Sequence, residues 1–487
     1  METRITRMKP YEMDRSLALG KRDEVLRKII EYGLLGLIIF SPLPAASVYE
    51  WTILGIQLTA LAMTAAYLLM KEKMEINPYL SRSLRWPKYL CLAFFLIIFI
   101  QIVPLPKFLV KILSPHAYSF QEIYFPHFLE TKFMSLSLIP SQTFRAGMEL
   151  LSYFLIGFLI VKTVTRSRQI KRIISLLIVM GVFEAFYGLF ELYRKNPRIL
   201  FYKKIYNLDS VTGTFVNRNH FSGYLEMIIP LAIGLIIARI DIFSLSGMRW
   251  RERIVHLAGR GISTNLLISV SLVVMSLAII FSKSRSGVFL LVFAFILFFE
   301  LIILYFGRVR YRQQWVKNFL RVVFLIITLI SLYIGVGATL ERFALDKLLQ
   351  EGRPLYWTQM TTMIADFPLF GTGLGTFASV YPAYEKIGVD GFLVHAHNDY
   401  LEYFSELGIV GTIFLLGAIF YMTANSFLFW RRRRNPEVKG LALGGIVAIV
   451  VMMVHSFSDF NLHIPANMLL FSIVLSLTFV SAYYKKS

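Results

Sequence analysis

The chain has one cysteine, Cys91, and only 17% of its residues are Asp, Glu, Lys or Arg. A single cysteine excludes a disulfide framework and a Cys-based metal site within one chain. So few charges beside 56% hydrophobic residues, 42 of the chain's residues being Phe, exclude a water-soluble domain with one ordinary core. With mean hydropathy +0.61, lipid must act as solvent. No internal repeat or low-complexity tract is evident, and the charged first thirty residues lack an apolar region followed by a small-residue cleavage site, so no signal peptide is expected.

Apolar runs near the ~20 residues that cross a bilayer recur along the chain. Unbroken runs indicate helices, because an open sheet leaves backbone groups unpaired in lipid and a barrel shows alternating strands. The expected fold is all-α and polytopic, with about twelve transmembrane helices. The spans fall at 30–48, 52–70, 88–106, 145–162, 170–192, 221–240, 265–283, 287–305, 319–337, 408–430, 438–456 and 466–484. This divides the chain into an N-terminal cytoplasmic segment 1–29, spans one to nine over 30–337, a large outer loop with short helices over 338–407, and spans ten to twelve over 408–487.

Acidic residues are scarce, 30 against 51 Lys and Arg, a net charge of +21. Such a balance suits nucleic acid, but here the cations gather in alternate loops, as the positive-inside rule expects, and no nucleic-acid partner is implied. Arg82, Arg85 and Lys88, then Arg249 to Arg253, Arg308 to Arg312 and Arg431 to Arg434 share one side with the N-terminal cations. Both termini are therefore expected in the cytoplasm, and the 338–407 loop outside.

Against that bias stand four outward arginines: Arg145, Arg218 in Asn217-Arg218-Asn219-His220, Arg285 in Ser284-Arg285-Ser286-Gly287, and Arg353 in Gly352-Arg353-Pro354. Arginine grips phosphate by bidentate hydrogen bonds, and a lipid diphosphate at the outer leaflet would supply the anion. The bland alternative is an interfacial anchor or a carboxylate partner, with more weight for Arg145 and Arg218. In the outer loop, 355–365 reads as a short amphipathic helix, stopped by Asp366-Phe367-Pro368 and followed by Gly371-Thr372-Gly373-Leu374-Gly375. The glycine spacing is not that of a dinucleotide loop, and it suits a close backbone approach instead. His395-Ala396-His397-Asn398-Asp399 comes next. A metal site there lacks a further ligand cluster in register, so a proton acceptor or hydrogen-bond donor at a membrane mouth is the better reading, beside a purely structural loop cap.

These residues resemble the O-antigen ligase and polymerase superfamily of membrane glycan transferases. The family's outer-loop signature, His then Asn, Ser or Gln, nine residues and Gly-x-x-Gly, stands here as His397-Asn398, 399–407 and Gly408-Ile409-Val410-Gly411. Arg353, Trp357, the run Asp366 to Gly371, Ser284 to Gly287, Gly213-Thr214-Phe215 with Asn217 and Asn219, and the segment His455 to Pro465 are similar too, so the resemblance covers roughly 140–485. It implies transfer of a glycan from an undecaprenyl-diphosphate carrier to an acceptor hydroxyl, on the periplasmic face of a bacterial inner membrane, with no metal, cofactor or nucleotide sugar. In that scheme His397, Arg285 and Arg353 are catalytic, while Asn398, Asn219, Arg218, Arg145 and Trp357 bind substrate. A ligase acting on a lipid A core comes first, a polymerase second and a protein oligosaccharyltransferase third. A secondary transporter, with Glu184 and Glu226 as intramembrane coupling groups, is the reading from another class.

Overall fold

The computed structural model describes residues 10–73, 77–125, 128–240, 262–306, 353–385, 393–433 and 435–484. The chain is an all-α polytopic membrane protein, and among the described residues ten helical stretches are long and apolar enough to cross a membrane. The long helices are α1 Pro10–Phe40, α2 Glu50–Leu69, α3 Arg85–Ile102, α4 Pro140–Thr163, α5 Ser167–Leu192, α6 Arg218–Ile240, α7 Ile262–Phe281 and α8 Arg285–Phe306. After the short α9 Arg353–Asp366 come α10 Asp399–Arg432, α11 Pro436–His455 and α12 Pro465–Tyr483. The expected span at 319–337 lies outside the described residues, and the expected span at 30–48 is not among the ten: its residues fall on the charged α1, which ends at Phe40, and on the turns that follow.

Composition explains where these helices start and which way they face. Pro140, Pro436 and Pro465 sit in the first turn, where the missing N–H costs no hydrogen bond and the fixed φ suits a helix. Asn398 and Asn435 cap α10 and α11 by accepting from the first free amides. Leu92, Phe99, Phe190 and Phe420 remain exposed on span surfaces, as lipid contact requires. The centre of the bundle is the α6–α11 pair, where small residues bring the backbones together. A Cβ on Gly234 would meet the Gly440 carbonyl at 2.4 Å, and one on Gly444 the Pro230 carbonyl at 2.6 Å.

The α10 helix is broken at Gly408, which holds φ +60° and ψ −173°. The break leaves amides and carbonyls without helical partners, and the loop after α9 supplies them. Ile409 N donates to Pro368 O (2.8 Å) and Val410 N to Leu369 O (3.3 Å). In return Thr372 N donates to Ser405 O and Gly373 N to Glu406 O, both at 2.9 Å. A Cβ on Gly371 would sit 2.3 Å from Glu406 O, and one on Gly408 2.3 Å from Leu369 O, so both glycines are demanded by close approach and by positive φ. The helix thus begins at Asp399, and the expected start at 408 is the position of its break.

Candidate functional site

Four helix ends meet at the start of α10, at the other end of the 399–407 segment from this break: the starts of α6, α8 and α10 and the end of α11, closed by the 456–464 turn with its 3-10 segment Asn461–His463. His397 precedes α10 with φ +50°, a left-handed conformation that is costly for a side chain larger than Gly and that turns the His395–Asn398 strap. Its Nδ1 lies 3.2 Å from Oδ1 of Asp459, and its ring packs edge-on against Phe460. Asp459 is fully buried and collects donors: Phe460 N on Oδ1 at 2.9 Å and Asn219 Nδ2 on Oδ2 at 2.6 Å. His220 Nε2 stands 3.6 Å from Oδ1, an ion-pair distance too long for a hydrogen bond. Burial alone would raise the Asp459 pKa, but His220 and His397 outweigh it and hold the carboxyl well below its ordinary value. Asp459 is therefore an acceptor for Nδ1–H, the tautomer that leaves Nε2 of His397 as a base.

Asn219 extends the chain of contacts, since its Oδ1 accepts from Ser284 Oγ at 2.8 Å, and Ser284 Oγ accepts from Gly287 N at 3.1 Å. Arg218 and Arg285 each lie one residue from this link and are half-buried. Three separate sequence features, Asn217 to His220, Ser284 to Gly287 and His395 to Asp399, are thus one hydrogen-bonded unit, and the missing connector is Asp459.

A second set of imidazoles and carboxylates backs the strap. His395 Nδ1 lies 2.7 Å from Glu402 Oε1, Ala396 N donates to Glu402 Oε2 at 2.8 Å, and His463 Nδ1 lies 2.7 Å from Asp399 Oδ1. Burial lowers the His463 pKa, but Glu402 and Asp399 outweigh it and raise it to about 10, so this imidazole is a buried cation at neutral pH. His395 stacks on Phe460 (4.3 Å, 18°) and His463 on Tyr403 (4.5 Å, 28°). Among the described residues no group of three or more His, Cys, Asp and Glu is placed to hold a metal ion.

The remaining expected site residues take varied places. Trp357, on α9, donates from Nε1 to Ala396 O (3.1 Å) and braces the strap. Asn398 spends its Oδ1 on the amides of Tyr400 and Leu401. Arg353 opens α9, and its side chain lies outside the described residues. Arg145 is exposed and 3.4 Å from the exposed Glu50, on no contact shared with the His397 cluster. Glu184 accepts from Thr214 N and Oγ1, both at 2.8 Å, and Glu226 Oε2 lies 2.9 Å from His455 Nδ1, so both intramembrane acids are held by partners within the bundle.

This is a multi-span protein with a polar, histidine-rich centre where several helix ends converge. Residues 270–416, which run from within α7 through α8, α9 and the His395–Asn398 strap into α10, match a family model described as O-antigen ligase. That match, over the segment that carries the His395–Asn398 strap, supports a likeness to the O-antigen ligase and polymerase superfamily, a family of the glycosyltransferase type. No curated protein matches the chain.

Proposed function

We propose that this protein is an O-antigen ligase-like transferase that moves a glycan from an undecaprenyl-diphosphate carrier to an acceptor hydroxyl, in first place that of a lipid A core, at the periplasmic face of the inner membrane. The observation that carries this reading is the His397–Asp459 pair at the end of the hydrogen-bonded path through Asn219 to Ser284, beside Arg285. In an inverting single displacement, the acceptor oxygen attacks the anomeric carbon as the bond to the diphosphate breaks. The hydroxyl proton passes to His397 Nε2, and Asp459 steadies the imidazolium that forms. The electron pair leaves on the diphosphate, where Arg285 and Arg353, with Arg218 nearby in sequence to Asn219, supply positive charge as it accumulates. No metal or cofactor is assigned a part in this scheme. The alternation of basic loops supports cytoplasmic termini and an outward site.

A polymerase extending a carrier-linked repeat would use the same donor chemistry, and nothing in the cluster selects the acceptor. A transporter is disfavoured by the internal partners of Glu184 and Glu226. Purified protein in detergent, given carrier-linked glycan and acceptor, should turn over, since transfer needs no second compartment, and chelator should leave the rate unchanged. Arg285→Lys keeps the charge but not the bidentate grip and should slow transfer about 10²-fold or more. A wild-type rate in that variant would reduce Arg285 to an anchor.

A further inference from the structure

The link between α5 and α6 carries Arg194, Lys195, Arg198, Lys203 and Lys204 over 193–209, with Asp209 as its sole acid. In a twelve-span topology this link lies outside, where cations are normally scarce. Two of the five are used internally: Arg194 Nη1 is 3.0 Å from Glu191, and buried Lys204 donates from Nζ to Ser210 O at 2.8 Å. Lys195, Arg198 and Lys203 are exposed.

The link folds as a hairpin of β1 Arg198–Ile199 and β2 Tyr202–Lys203. Arg198 faces Lys203 across the strands, and like charges placed opposite each other are destabilising unless an anion sits with them. The tip is Phe201, 90% exposed, with Leu200 at φ +48°. Nothing about this exposure is loose. Tyr187 Oη accepts from Leu200 N (2.7 Å) and donates to Arg198 O (2.9 Å), Glu191 Oε2 accepts from Arg198 N (2.6 Å), and Tyr202 packs on Tyr49 at 5.4 Å. Ile205 and Tyr206 follow, also exposed.

A rigid hairpin that holds a phenylalanine in water gains nothing from it. Both flanking helices are candidate membrane spans, so the link starts and ends at the bilayer boundary, where aromatic rings and cations are favoured together. We propose that this hairpin is an anchor in the membrane interface, with Phe201 among the upper acyl chains and the Arg198–Lys203 pair bound to the phosphate of an anionic phospholipid. The inference rests on α5 and α6 spanning the membrane and is independent of the transferase reading. Because Asp209 pairs with Lys283 (3.0 Å) and Val211 N donates to Phe281 O (3.1 Å), the anchor is tied to the turn that presents Arg285.

The test uses full-length Phe201→Trp in nanodiscs, read as the difference from wild type with its 6 tryptophans. The added tryptophan should emit to the blue and be quenched more by brominated phosphatidylglycerol than by brominated phosphatidylcholine at equal mole fraction. Adding Arg198→Gln and Lys203→Gln should cut that preference by about five-fold for each cation lost. Quenching of the added tryptophan by iodide instead of lipid would put the tip in water and overturn the anchor. Equal quenching by the two lipids, or a preference that survives both glutamines, would overturn the phosphate site. Wild type should also retain phosphatidylglycerol over phosphatidylcholine in native mass spectrometry, and the double variant should lose that selectivity.

Discussion

His397 and His455 each rest an Nδ1 on a carboxylate, at 3.2 Å and 2.9 Å, yet their surroundings separate them. The side chain of His397 is 28% exposed at the mouth of the helix ends, whereas those of His455 and Glu226 are both 0% exposed between α6 and α11. The same pair chemistry therefore has two uses. Where one ring edge is open to the outside, the proposed function has the carboxylate align a base. Where both partners are sealed, the pair pins two helices, and the cost of desolvating it is repaid only while it stays whole.

The sharpest way to separate the two is His397→Ala. Single-turnover transfer should fall by about 10²- to 10⁴-fold while the melting temperature and carrier-lipid binding stay near wild type. Full activity would remove His397 from the chemistry, and lost lipid binding would make it a donor-binding residue instead. His455→Ala should do the opposite, costing about 3–5 kcal/mol of stability because Glu226 is left as an uncompensated buried acid, with the rate per folded molecule retained. A stable His455→Ala protein with no transfer would collapse the distinction.

These expectations differ in how they could be reached from sequence. Ten of the expected spans were legible because each is a contiguous apolar run, and the interval from His397 to Gly408 is also a local pattern. The close-approach reading of Gly371 likewise needs only the glycine series, and its partner proves to be the break in α10. Asp459 lies in the His455 to Pro465 segment that resembles the family, yet nothing local in the sequence singles it out. Its contact with His397 bridges 62 residues, and no periodicity records a pairing made only when two helix ends meet. Glu402 left a faint signal, an acid in the first turn of a capped helix seven residues after His395. Asn398 is the reverse case: a residue expected at the substrate is occupied by capping that helix.

A gentler probe is pH. His463 has a folded-state pKa of about 10, above its ordinary value, so its contribution is complete below about pH 6.5 and is lost as pH rises through 10. Asp459 is shifted the other way, and its contribution is present above the ordinary Asp range and lost only in stronger acid. Thermal melts across alkaline pH should show the first loss, and His463→Gln should flatten that limb. The smallest effect belongs to Trp357→Phe, which removes the hydrogen bond to Ala396 O but keeps the ring. It should cost about 0.5–1.5 kcal/mol and lower the rate modestly by loosening the strap, and a loss as large as that of His397→Ala would mean that Trp357 touches substrate.

The break at Gly408 has a metric consequence. The 399–407 segment between strap and break is a rigid rod of about 13 Å, at 1.5 Å per residue, standing on a pedestal that the 368–373 loop bolts to the rest of α10. The nine-residue interval is thus a ruler that sets both the height and the azimuth of His397. One inserted residue would raise the strap by about 1.5 Å and swing it by about 100° around the helix axis, away from Asp459. Substitutions along the rod can be absorbed by repacking, whereas a change in its length cannot, so the count of residues carries information that their identities do not.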